Sequence, residues 1–288
     1  MLKPSSLKPG SSAAAALALA AALTIGSAAL AADAKYPSWP GQRRRVVVPG
    51  VGGQGAFDQT RLWGRGQQAP LTAEYQKVFE ASLADQAKGG LGNYPSSRCL
   101  PSGMPRMMYF GAQEYIIEPG VTHILVGGGV DHTRRIFTDG RDWPAEIEPT
   151  LTGYSIGRWI DENNDGRYDV LEVETRGPFK GPRHYDAAGL PLHHDNQSIF
   201  KERFYLDKSE KNLLHDEITV VDHALTRPWT VTRDFRRNPN PRPDWGEFVC
   251  AEGNAYVTID KETYFLSADG LLMPMKKGQT PPDLRYFR

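Results

Sequence analysis

The 288-residue sequence predicts an all-β fold, mainly antiparallel and barrel- or sandwich-like, with one packed N-terminal helix. Three observations predict it. From about residue 107 onward, short runs alternate apolar and polar residues at the period of a half-buried strand. Turn signals such as Glu118-Pro119-Gly120, Asp139-Gly140 and Asp269-Gly270 punctuate those runs. Only Leu71 to Lys88 carries helical periodicity, so the strands lack the crossover helices that a parallel sheet requires.

The chain opens with Lys3 and Lys8, then an Ala/Leu-rich run ending in Ala29-Leu30-Ala31. That pattern reads as a secretory signal peptide over residues 1–31, cut before Ala32. The implied location is periplasmic or secreted. No later segment approaches the roughly 18 apolar residues of a spanning helix, so the mature chain has no transmembrane segment of that kind. Loss of the two lysines takes the formal balance from +0 to about −2, since no acidic residue precedes Asp33. Interspersed charges without a basic face exclude nucleic acid as a partner. Cys99 and Cys250 are an even pair in an oxidising compartment and predict one disulfide.

Residues 32–70 are rich in Gly, Pro, Gln and Arg and read as irregular. Within them Arg45 to Val48 is a short strand, followed by Gly50-Val-Gly52-Gly-Gln-Gly55. This matches the bare dinucleotide-binding glycine pattern, but no helix opens at the glycines and no βαβ unit follows. A glycine loop is the reading.

Residues 71–288 form a single β-rich domain that begins with the helix. Thr72 can cap it, Glu74 lies in its first turn, and Gly89-Gly90 stops it. Tyr75, Val78, Phe79 and Leu83 make its apolar stripe. The strands follow as Met107–Ile117, Val121–Val126, Arg134–Thr138, Tyr154–Ile160 and Val170–Thr175. Ser198–Leu206, Leu213–Val221, Trp229–Phe235, Phe248–Cys250 and Tyr256–Ile259 complete them.

Between two of these strands lies the sharpest chemical pattern. Asp161, Asn163, Asp165, Gly166 and Glu172 fill every slot of the calcium-loop motif D-x-[DN]-x-[DN]-G-x5-E, with Asp169 at the ninth position. Alternating carboxylates supply the oxygens that a hard cation needs, and the glycine permits the sharp turn. The flanks are β-formers, not the helices of an EF-hand. The residues are therefore candidate Ca2+ ligands in a β-hairpin loop, beside the plainer reading of a polar turn.

Cys99-Leu-Pro-x-Gly-Met-Pro-Arg106, Arg134-Arg-Ile-x-Thr-Asp-Gly-Arg141, Gly153-Tyr-Ser-Ile-Gly-Arg-Trp159 and Leu225-Thr-Arg-Pro-Trp-Thr230 carry a resemblance. From about residue 60 to its C-terminus the chain resembles a large family of exported proteobacterial proteins with no assigned activity. The resemblance implies export and a β-rich fold. Many members of that family have a tight Glu-Gly-Asp turn where this chain has the longer Asp161–Asp169 loop. They also often carry a second histidine about five residues after the one matching His194, where this chain has Ile199.

Other constellations bear on chemistry. Gly153-Tyr-Ser155-Ile-Gly157 matches the nucleophile-elbow pattern, but no helix follows it, and small residues within a strand are the simpler account. His184, His193, His194 and Asp195 fall within twelve positions, and His194 with Asp195 and His184 form a candidate general base or metal-binding set. Arg135 and Arg141 are candidate ligand-binding cations, alongside Arg134 and Asp139. Tyr109, Phe110, Tyr115, Trp143, Tyr154 and Trp159 are candidate aromatic walls of a cavity, beside the plainer reading that they fill the core.

The leading functional expectation is an exported barrel that binds a small apolar or aromatic ligand in its mouth. One alternative is a His-dependent lyase, isomerase or hydrolase acting on a small molecule. Another is an envelope-associated structural protein with a calcium-stabilised hairpin.

Overall fold

The computed structural model describes residues 35–39, 41–46, 69–88, 103–109, 111–127, 132–179, 196–245, 255–259, 262–266, 271–274 and 278–280. The signal segment, the 50–55 glycine loop, Cys99, Cys250, and the loop with His184, His194 and Asp195 lie outside these residues. Among the described residues no helix is long and apolar enough to cross a membrane.

Nine strands form a closed barrel in chain order. They are β1 (Arg43–Arg45), β2 (Ala112–Glu118), β3 (Val121–Val126), β4 (His132–Phe137), β5 (Tyr154–Ile160), β6 (Val170–Arg176), β7 (Ile199–Leu206), β8 (Leu213–Val221) and β9 (Trp229–Arg237). A separate antiparallel sheet holds β10 (Ala255–Ile259), β11 (Glu262–Leu266) and β12 (Leu272–Pro274). The fold class read from the sequence holds, and of its barrel and sandwich alternatives the structure has a closed barrel. Its β4–β5 seam is parallel, Ile136 standing opposite Ser155, whereas the other described pairs are antiparallel.

Closure rests on a three-residue strand. Arg43 stands opposite Gln113 of β2 and Arg237 of β9, so β1 covers two edges at once. The strand expected at Arg45–Val48 begins earlier, at Arg43, where the β2 and β9 edges meet, and Val47 and Val48 lie outside the described residues. A barrel without open edges has no row of unpaired amides to recruit another chain.

The single described α-helix, α1 (Ala73–Ala87), starts where Thr72 Oγ1 accepts the Tyr75 N–H at 3.4 Å. Phe79 is buried and Leu83 packs against the core, whereas Val78 is 38% exposed and leaves the expected stripe. Ser82 takes a buried place on that face instead. The helix start is tied to the β8–β9 loop by Thr72 N–H donating to Ala224 O at 2.9 Å.

The core is the lumen and its two plugs. Trp39, from the segment before β1, packs among Tyr115, Trp159 and Phe204 at ring separations of 5.4, 5.0 and 6.5 Å. The predicted strand at Met107 begins instead as a 3-10 turn, Arg106–Met108, which buries both methionines. Full burial of side chains this size stabilises by about 1.5–3 kcal/mol each. Between the turn and β2, Gly111 has φ +90°, and a Cβ there would stand 1.6 Å from Gly127 O.

Candidate functional site

Strand alternation gives the barrel two chemically different faces. On the outer face of β5 to β9 lies a groove of about 660 Å3, within the ordinary range for small-ligand sites. Cross-strand register organises its floor into two rungs. Along one, Arg158 faces Glu172, Glu172 faces Arg203, and Arg203 faces Glu217. Alternating charges at adjacent positions pair across the strands and disfavour a register slip. The Arg158–Glu172 contact measures 2.7 Å. Along the other rung Ile156, Glu174, Lys201, Thr219 and Thr230 succeed one another. Here pairing is looser. Lys201 Nζ lies 3.9 Å from Glu174, and its side chain is 61% exposed. Trp143 supplies an aromatic wall to the groove. Its ring is held against Tyr154 at 6.0 Å and beneath the Arg176 guanidinium at 4.1 Å.

The inner face carries a buried polar belt. Arg134 of β4 reaches across to Glu202 of β7, its Nη1 donating to Oε1 at 2.7 Å and its Nη2 to Oε2. Its Nε donates to Ser155 Oγ at 3.3 Å, and Nη2 also to Thr175 Oγ1 at 2.7 Å. Burial alone would lower the Arg134 pKa, but Glu202 more than offsets it and the guanidinium stays charged. Continuing around the barrel, Asp216 of β8 stands opposite Arg233 of β9. Asp216 is fully buried, and neither of its carboxyl oxygens has a hydrogen-bond partner. Burial first, then Glu202, push its pKa well above the usual carboxylate range, against the pull of Arg134 and Arg233. The Tyr115 hydroxyl donates to Gln113 Oε1 at 2.6 Å. Burial, then Asp216, hold the phenol well above its ordinary pKa.

The residues singled out from sequence are distributed as follows. Arg135 is exposed on the outer face of β4, and both it and Arg141 lie over the Phe137 ring, at 5.9 and 3.7 Å. Arg141 is held in a fork by Asp139, with Nη2–Oδ2 at 2.6 Å, so that pair closes the turn on itself. Trp159 packs against the core beside Trp39, at a ring separation of 5.0 Å. Ser155 sits in β5 with its hydroxyl 2.8 Å from that of Thr175, in a strand and not in an elbow.

In the acidic loop, Asp161 accepts the Asp165 and Gly166 amides at 3.1 and 2.8 Å. Asp169 Oδ2 accepts those of Glu162 and Asn163 at 3.1 and 3.3 Å. Glu172 leaves the loop for Arg158, and Asn163 and Asp165 are exposed at the hairpin tip. Among the described residues no group of three or more His, Cys, Asp or Glu side chains stands together as metal ligands do.

Sequence reasoning missed Glu202, Asp216, Arg233, Gln113 and the groove residue Lys201, whereas Trp143 was among the aromatics read as candidate cavity walls. A signal for the first group existed. Glu202 interrupts the inward series Phe200, Phe204, and Asp216 interrupts Leu214, Ile218, Val220. No protein-family model matches the chain, and no curated protein matches it.

Proposed function

We propose that this is an exported binding protein for a small aromatic ligand bearing polar substituents, seated in the groove on the outer face of β5 to β9. We place the site on this outer face and not in the expected barrel mouth, since Trp39, Tyr115, Trp159 and Phe204 pack against one another in the core. The observation that carries the reading is the pairing of an aromatic wall, Trp143, with an exposed, loosely held ammonium at Lys201. A flat ring covers Trp143 and Ile156, while a carboxylate or hydroxyl takes Lys201 and the Thr219 and Thr230 hydroxyls, which lie 2.7 Å apart. A purely apolar ligand would desolvate the charged rung for no compensating hydrogen bond, so polar substituents belong to the ligand class. Export rests on the 1–31 signal pattern and on the family resemblance.

The test is a ligand-observed NMR screen of benzoates, phenols and their saturated analogues, followed by titration of Trp143→Ala and Lys201→Ala variants. Aromatic acids bind, and Trp143→Ala weakens them about tenfold or more, equivalent to about 1.4 kcal/mol. Equal binding by the saturated analogues, or an unchanged dissociation constant in both variants, sinks the reading.

A further inference from the structure

We propose that the groove ligand is a zwitterion, an amino acid with an aromatic side chain, its carboxylate held by Lys201 and its ammonium by Glu217. The inference rests on the groove reading above and narrows its ligand class. Lys201 on β7 and Glu217 on β8 line the same groove. Register sets Lys201 opposite Thr219 and Glu217 opposite Arg203, so the two are diagonal neighbours on one face, about 7–8 Å apart. Each belongs to an ion pair that register offers and other side chains divert. Glu174 stands opposite Lys201, yet its Oε1 accepts from Arg176 Nε at 2.6 Å, which leaves Lys201 Nζ 3.9 Å from Oε2. Arg203 stands opposite Glu217, yet its Nη2 donates to Glu162 of the acidic hairpin. The Glu217 carboxylate therefore lines the groove with no ion-pair partner among the described residues.

The charge balance of the groove favours a ligand with both signs. Its outward side chains include the cations Arg158, Lys201 and Arg203 and the carboxylates Glu172, Glu174 and Glu217. Glu202 turns inward to Arg134 and does not enter this balance. A ligand with a carboxylate alone sets a negative charge beside Glu217, and one with an amine alone sets a positive charge beside Lys201. Either juxtaposition of like charges is unfavourable. A zwitterion keeps the groove neutral and makes a charge-assisted hydrogen bond at each end. Glu217 is half-buried, so its attraction for an ammonium is screened less than that of a fully exposed pair. Beside Lys201, the Thr219 and Thr230 hydroxyls add donors for the carboxylate, and the ring covers Trp143.

The experiment titrates the intact protein by NMR with phenylalanine, phenylpropionate and phenylethylamine, which share a ring and spacer and differ in charge. Phenylalanine is expected to bind more tightly than either analogue by about fivefold, the upper range for a partly exposed ion pair. Glu217→Gln should abolish its lead over phenylpropionate and tighten phenylpropionate itself, which also shows that the variant is folded. Glu162→Gln, on the hairpin, frees Arg203 to take Glu217 and should shrink the same lead. Binding of none of the three ligands would overturn the groove reading and this inference with it. Equal binding of phenylalanine and phenylpropionate by the wild type would overturn this inference alone. So would a lead that survives Glu217→Gln.

Discussion

Arg134 and Glu202, on strands three places apart around the barrel, form a forked ion pair with both side chains essentially inaccessible to water. Ser155 and Thr175 take two more guanidinium donors, so four of the five are bonded. Desolvating two charges is expensive, and such a pair is tolerated only with hydrogen bonds of this kind around it. Its two ends sit on opposite sides of the parallel β4–β5 seam, and it fastens β4 to β7 across the lumen.

Removing one partner leaves a buried, unpaired charge. Glu202→Ala is expected to lose about 3–5 kcal/mol of stability, a fall in Tm on the order of 10 °C for a chain of this size. The double variant Arg134→Met with Glu202→Leu should recover much of the loss. Urea unfolding of the two single variants and the double variant checks this, and additive losses would contradict the coupling.

His215 on β8 is clamped between two carboxylates, Nδ1 lying 2.8 Å from Asp234 Oδ1 and Nε2 3.1 Å from Asp207 Oδ2. Burial pulls its pKa down, but the two carboxylates win and raise it above 6.5. The imidazolium contribution is therefore complete below about pH 6.5 and disappears as pH rises through the raised folded value. Between pH 6 and 8.5 the wild type should lose more stability than His215→Gln. Parallel Tm–pH curves for the two proteins would refute the clamp.

Gly111 adopts φ +90° directly against the Gly127 carbonyl. Gly111→Ala must break the Gly127 N–H bond to Ala112 O or move β2 away from β3. The expectation is a loss of at least about 2 kcal/mol, combining left-handed strain with a backbone clash. Gly140→Ala, at φ +78° with open space around it, should cost only about 1 kcal/mol. Denaturation midpoints of the two variants give the comparison.

Asp161 closes the acidic hairpin through two backbone amides. Asp161→Ala should cost about 0.5–2 kcal/mol, as the loss of a helix cap does, and should do so in EDTA. Melting curves with EDTA and with 2 mM calcium separate the roles. A loss seen only in calcium would make the loop a cation site rather than a self-capped turn.

The strand pattern was legible because side-chain alternation is local. Leu213 to Val221 and Tyr154 to Ile160 were bounded correctly from the sequence, since each carries its own inward and outward residues and its own turn signals. The 3-10 turn at Arg106–Met108 was not, because its residues are as apolar as a strand and only the plugged barrel end selects the tighter turn. The same holds for the site. Glu202, Asp216 and Arg233 each stand at an apolar-parity position in their own strand, a sign that was present and went unread. Lys201 gave no comparable sign, being an ordinary outward lysine, whereas Trp143 was read as one of several aromatics that could line a cavity.

The sequence by itself therefore determined the all-β class, the single helix with its Thr72 cap, most strands and the hairpin across Asp161 to Asp169. Each of these depends on residues within one or two turns of chain. The tertiary structure alone decided that three arginines at Arg43 to Arg45 close the barrel and that β4 and β5 run parallel. It also decided that Arg134 faces inward to Glu202 while Arg135 faces out. Those outcomes depend on register summed around nine strands, and one residue of shift in any pair exchanges the lumen for solvent.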